Sequence, residues 1–93
     1  MLKINEYFDG NVKSISFNSP DMPATVGVMA VGEYTFGTSQ KEYMTVISGH
    51  LEVRQEDNKD WKTCKNGDSF TIEAGNKFDL RVATDTAYLC KYE

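Results

Sequence analysis

The chain has 93 residues, with ten lysines and arginines against fourteen aspartates and glutamates and a formal net charge of −4. That length suits a single domain, residues 1–93, with one small core. The acidic balance argues against a nucleic-acid polymer as partner, because sequence-independent binding needs a basic face. Residues 1–10 lack the apolar core of a secretory signal, and the longest apolar run, 26–31, is too short to span a bilayer. We therefore expect a cytoplasmic protein with no membrane partner.

Residues 5–11 open with aromatic side chains and close on Asp9-Gly10-Asn11, a strong turn. Residues 12–17 alternate, with Lys13, Ile15 and Phe17 on one face and Val12, Ser14 and Ser16 on the other, and read as a strand near an edge. Residues 18–23 hold both prolines and form a loop. Residues 25–31 are a strand in which Gly27 marks a close backbone approach or a bulge. After Gly32 the strand pattern resumes over 33–36, turns a polar corner at 37–41, and runs again from 42 to 48. Gly49 makes a hairpin into 50–56, and 57–60 is a charged loop. Short strands are expected at 61–64, 69–73, 77–83 and 86–92, with turns at 66–68, 74–76 and 84–85. Within the last strand, Tyr88, Cys90 and Tyr92 share a face opposite Leu89. Eight to nine short strands with regular turns and no helix predict an all-β sandwich or barrel. The two cysteines, Cys64 and Cys90, form no CxxC pair and read as reduced, partly buried thiols.

Two glycine-turn spacings sharpen this. Glu42, six residues and Gly49 resemble the end of the first cupin motif. Gly67, five residues, Glu73-Ala74-Gly75, two residues and Phe78 resemble the second. The resemblance implies a cupin-like, jelly-roll β-barrel with Glu42 pointing inward. The places of the motif's two histidines hold Thr35 and Gly37, and that of its last histidine holds Phe78. One remaining donor, Glu42, is too few for a catalytic transition metal, which usually needs three protein ligands. No metal or other cofactor is expected.

The stretches NEYFDGNVKSISF, ATVGVMAVGEYTFGT, EYMTVISGHLEV and TAYLCKYE closely resemble the small pyrimidine/purine nucleoside phosphorylase family, formerly a domain of unknown function. The resemblance covers essentially the whole chain. It implies a homodimer that converts purine and pyrimidine nucleosides plus inorganic phosphate, a co-substrate, to free base and pentose 1-phosphate. The alternative is a metal-free binding module that holds a nucleoside or sugar without turnover.

Phosphorolysis needs anion donors on one side of the sugar and groups that grip the ribose. By analogy with glycoside hydrolysis, the transition state resembles an oxocarbenium ion. Glu42 is the leading candidate, because an inward carboxylate can hold ribose hydroxyls and stabilise positive charge at the anomeric carbon. Thr35 shares the expected inward face. Thr38 and Ser39, on the polar corner beside Lys41, offer hydroxyls and backbone N–H groups that can form an anion nest. Met44 and Phe78 supply an apolar wall that tolerates any base, and Tyr88 and Tyr92 supply phenols. Lys13 and Arg81 are candidates for phosphate charge, although Arg81 is out of phase with Phe78, Leu80 and Val82. His50 follows the turn glycine, where an exposed role is expected.

Overall fold

The structure, a computed structural model, describes residues 2–55 and 58–93. The described residues form ten strands: β1 (Lys3–Tyr7), β2 (Val12–Asn18), β3 (Pro23–Met29), β4 (Gly32–Gly37), β5 (Glu42–Ser48), β6 (His50–Gln55), β7 (Lys62–Lys65), β8 (Ser69–Ile72), β9 (Lys77–Val82) and β10 (Thr86–Tyr92). The strand beyond the expected eight or nine is β1, which the aromatic lead-in to the turn conceals. The expected end of one strand at Glu56 and the start of a loop at Asp57 lie outside the described residues.

All pairings are antiparallel. One sheet has the order β1-β2-β3-β10-β5-β8 and the other β4-β9-β6-β7. Strand β2 lies near an edge as expected, one strand in from it, with β1 outermost. Among the described residues no ladder joins the two sheets, so the expected closed barrel is corrected to two open sheets packed through one core. The reason lies at the edges. Strands β1 and β4 meet through aromatic rings rather than backbone bonds: Tyr7 and Phe36 centroids lie 6.2 Å apart and Phe8 and Phe36 centroids 5.3 Å apart. At the opposite side Gln55 donates a side-chain hydrogen bond to the Thr71 carbonyl at 3.0 Å.

The same rings account for an unusual turn. Phe8 and Asp9 adopt positive φ, 54° and 57°, and Gly10 follows at 84°. An L-residue there costs about 1–2 kcal/mol. Phe8 packs on both Tyr34 and Phe36, and aromatic pairs contribute about 0.5–1.5 kcal/mol each beyond burial. The turn strain is thus offset by closing the edge of the sandwich.

Strict alternation fills the core. Val12, Met29, Met44, Val46, Leu51 and Leu80 are buried, while Val26, Val28 and Ile15 on intervening positions are exposed. Gly27 holds the closest approach in the larger sheet. It lies opposite Ser14 on β2 and Tyr88 on β10. A Cβ at this position would stand 2.7 Å from the Tyr88 hydroxyl oxygen and 2.7 Å from the backbone carbonyl oxygen of Lys13. The sequence reading of a close approach holds, and the pairing through Gly27 is regular. The Lys13 carbonyl belongs to a central ladder and cannot move away. Gly27→Ala is expected to lower the unfolding free energy by about 1–3 kcal/mol, the usual range for overpacking. Urea denaturation measures this, and an unchanged midpoint would show that the sheet yields.

Candidate active site

A cavity of about 200 Å³ lies between the sheets, and Glu42, Tyr88, Cys90 and Tyr92 form one wall. The ladder explains why these residues converge. Glu42 pairs with Tyr92, Met44 with Cys90 and Val46 with Tyr88. Alternation on both strands then turns the whole set inward. Phe36 and Phe78 form the opposite wall, nearly parallel at 22° with centroids 5.6 Å apart. Tyr7, Ser14, Met29, Gly37 and Met44 complete the lining.

Burial sets the proton chemistry. Desolvation pushes the Glu42 carboxyl above its ordinary range, and a hydrogen bond from Cys90 partly counters it. The Cys90 Sγ donates to Glu42 Oε1 at 3.4 Å. Burial, with the Glu42 charge next, pushes the Cys90 thiol up as well, so it stays a neutral donor. Desolvation pushes the Tyr88 phenol up to about 12, despite a hydrogen bond with Ser14. The Tyr92 phenol is also raised by burial, and its oxygen lies 3.1 Å from Thr25 Oγ1. Glu42 is therefore surrounded by neutral hydrogen-bonding groups at neutral pH.

The structure brings Glu42, Met44, Phe78, Tyr88 and Tyr92 together and leaves the other side chains proposed from the sequence elsewhere. Thr35 was expected inward and is not: Tyr34 and Phe36 occupy the inner face of β4, so Thr35 faces out and donates to Asp79 Oδ1 at 2.8 Å. Thr38 is buried but committed to backbone. Its hydroxyl donates to the Glu73 carbonyl at 2.7 Å and accepts from the Asn76 N–H at 3.1 Å, which ties the polar corner to the β8–β9 turn. Ser39 is exposed on that corner. Lys13 is on the outer face, 3.8 Å from Glu6. Arg81 is on the outer face of the smaller sheet, its guanidinium 3.9 Å from the centre of the Trp61 ring. His50 is exposed. Sequence reasoning missed Ser14, Phe36 and Cys90 as wall residues, although the shared face of Val12 and Ser14 carried the signal for the first.

The cupin-like frame raises the question of a metal. Among the described residues that line the cavity, only Glu42 and Cys90 are of metal-binding type. Two donors do not make the three-ligand set of a catalytic transition-metal site.

The sequence profile described as pyrimidine/purine nucleoside phosphorylase matches residues 2–92. A protein of that name from Pseudomonas fluorescens is 59% identical over 92 residues, covering 99% of this chain and 98% of its own. Another, from Teredinibacter turnerae, is 56% identical over 93 residues, covering 100% and 99%. A crystal structure of a protein of unknown function from Vibrio parahaemolyticus superposes with a TM-score of 0.96 at 47% identity, over 100% of this chain and 99% of that one. The ethanolamine utilization protein EutQ from Salmonella typhimurium shares the fold alone, with a TM-score of 0.77 at 17% identity over 99% of this chain and 93% of that one. The fold is thus all-β and cupin-like.

The raised Glu42 pKa has a consequence for stability. A carboxyl with a higher pKa folded than unfolded binds protons more tightly in the native state, so stability falls as pH rises through the window between the two values. Glu42→Gln removes that loss. The variant is expected to gain stability relative to the parent between acid and neutral pH, and to show no such gain below the ordinary glutamate pKa. Denaturation midpoints at several pH values check this. A constant difference across the range would mean that Glu42 titrates normally.

Proposed function

This chain belongs to the pyrimidine/purine nucleoside phosphorylase family, and from that membership we propose that it phosphorolyses nucleosides in the cavity walled by Glu42. It is an enzyme of the pentosyltransferase type. The observation that carries the placement is the meeting of a desolvated carboxylate, aromatic faces and a protonated phenol in one cavity. Nucleoside and inorganic phosphate are the substrates, and no cofactor enters the reading.

In the reaction a phosphate oxygen forms a bond to C1′ as the C1′–N bond breaks, and the bonding pair leaves with the base. Positive charge builds at C1′. A carboxylate fixed in a low-dielectric wall stabilises that charge more than water does. Glu42 carries this role and accepts hydrogen bonds from ribose hydroxyls. Tyr88 and Cys90 keep their protons at neutral pH and orient Glu42 and the sugar. The parallel Phe36 and Phe78 rings offer the base a stacking face. Stacking reads no hydrogen-bond edge, which supports tolerance of purines and pyrimidines alike.

The first test incubates the protein with mixed ribonucleosides, with and without inorganic phosphate, and separates the products. Phosphate-dependent release of free base and pentose 1-phosphate is expected from both base classes. Nucleoside retained without release would favour the binding-module alternative. Glu42→Gln is expected to lower kcat/KM about 100-fold, the size of loss seen when one transition-state partner is removed. Thr35→Ala, which alters the outer face, should stay within about twofold of the parent, since surface changes away from the site are small.

The same reading includes a homodimer. Ile4, Ile15, Val26 and Leu89 form one row across four neighbouring strands, and Ile4, Ile15 and Val26 are exposed on the outside of the larger sheet. A second copy of the chain fits this face, because a flat antiparallel sheet is self-complementary about a two-fold axis. Sedimentation should give a dimer mass, and Ile15→Glu should shift it toward monomer. A monomeric parent protein would refute the assignment.

A further inference from the structure

A phosphate anion is poorly served by the cavity itself. Among the described residues of its lining, Glu42 is the sole group charged at neutral pH, and the remaining polar side chains are neutral. A carboxylate and a phosphate held together in low dielectric repel each other.

Tyr92 belongs to a second concavity as well. This one has a volume of about 340 Å³ and gathers Lys3, Ser16, Thr25 and Tyr92 beside apolar residues such as Phe17. The ladder places Lys3 opposite Ser16, Ser16 opposite Thr25 and Thr25 opposite Cys90, in one inward row across four strands. The row thus runs from Lys3 directly to the thiol that holds Glu42. No carboxylate lines this second concavity among the described residues.

Two of its donors, Lys3 and Ser16, are uncommitted. Among the described residues Lys3 makes no ion pair, whereas Lys13, Lys41, Arg54, Arg81 and Lys91 each face a carboxylate. Ser16 Oγ accepts a hydrogen bond from Asn5 Nδ2 at 2.9 Å, which leaves its own hydrogen free to donate. Thr25 and Tyr92 share one hydrogen bond between their hydroxyls, and Tyr92 is hydrogen-bonded to Cys90 as well, so these two form a chain that ends at the thiol. An ammonium beside a free O–H donor, in a lining without a carboxylate, is chemistry that suits a tetrahedral oxyanion.

We propose that the Lys3–Ser16–Thr25–Tyr92 concavity is the site of inorganic phosphate, and that Tyr92 is the shared wall across which phosphate meets the sugar held by Glu42. This rests on the phosphorylase reading for its role in turnover. The division keeps the phosphate charge away from the Glu42 carboxylate until the anomeric carbon turns positive between them. It also gives Lys3, a residue near the chain's start and outside every glycine-turn motif, a direct part in substrate binding.

The test has a kinetic arm and a binding arm. Lys3 is exposed, so Lys3→Gln should fold like the parent. Its phosphate KM is expected to rise on the order of tenfold, the loss of one charge-assisted contact, while the nucleoside KM stays within about twofold. Lys3→Arg should restore most of the phosphate affinity. An unchanged phosphate KM in Lys3→Gln overturns the proposal. In the binding arm, inorganic phosphate is titrated into isotope-labelled protein at constant ionic strength. Saturable amide shifts at Lys3, Ser16 and Thr25 are expected, and they should vanish in Lys3→Gln. Shifts confined to other residues, or none, overturn it. The binding arm does not need turnover, so a parent protein that binds phosphate here without phosphorolysis would refute the catalytic reading and leave the site standing.

Discussion

The pairing of β5 with β10 is the constraint on which the interior depends. Side chains in a strand alternate, so a slip of one residue would turn Glu42, Met44 and Val46 outward together. The ladder contains one irregularity. Ala87 pairs with Ser48 and Tyr88 with Val46, so Ile47 has no partner and forms a bulge. The bulge lets both Ile47 and Ser48 face solvent while Val46 remains in the core. Without it, continuing the β10 register past Tyr88 would drive Ser48 inward. The extra residue therefore reconciles the Gly49 turn with an uninterrupted inner row from Glu42 to Val46.

Given that row, the electrostatics follow from what surrounds it. A carboxylate half-buried in a wall, as Glu42 is, is tolerated when hydrogen bonds replace the water it loses. The thiol of Cys90 supplies one at 3.4 Å, a long and weak contact beside that of a hydroxyl. This leaves Glu42 underserved, and its raised pKa expresses the deficit. In a purely structural role such a residue is a liability. In the proposed reaction, opposite a sugar whose anomeric carbon becomes cationic, the same deficit is stabilising, because the charge that would complete Glu42 arrives in the transition state. Differential binding of this kind is what lowers a barrier.

Much of this was legible in the sequence, and the exceptions share a cause. The face assignments of β2 and β10 needed only period-two counting, and they are right: Val12, Ser14 and Tyr88 are buried while Lys13 and Ile15 are exposed. Thr35 was placed by motif spacing instead, counting back from Glu42, and that count ignores the strand's own pattern. Tyr34 and Phe36 each bury a large ring, and the threonine between them has to face out. Sheet closure was also beyond the sequence. Whether two edges join by backbone or by side chains depends on Phe8 reaching Phe36 across 28 positions, a contact no local pattern encodes. Cys90 was read as a partly buried thiol and is fully buried, and its contact with Glu42 joins residues 48 positions apart through a ladder. Local period was readable; long-range register was not.

The small size of the chain makes the arrangement economical in a specific sense. Five of the six strands of one sheet, β1, β2, β3, β5 and β10, supply the inner rows that carry both concavities, and the smaller sheet contributes chiefly Phe36 and Phe78. The hydroxyls lie close across the ladder: Ser14 and Tyr88 flank Gly27 from the strands on either side, and Ser16 pairs directly with Thr25. Gly27 is what permits the first of these, since any side chain there would occupy the space of the Tyr88 phenol. A rigid sheet fixes such neighbours to within the tolerance that positioning demands. Most of the work proposed for Glu42 and the phenols is positioning and charge placement, which a ladder provides. The residues that matter most for that chemistry are accordingly those whose inward orientation the pairing of β10 leaves no freedom to change.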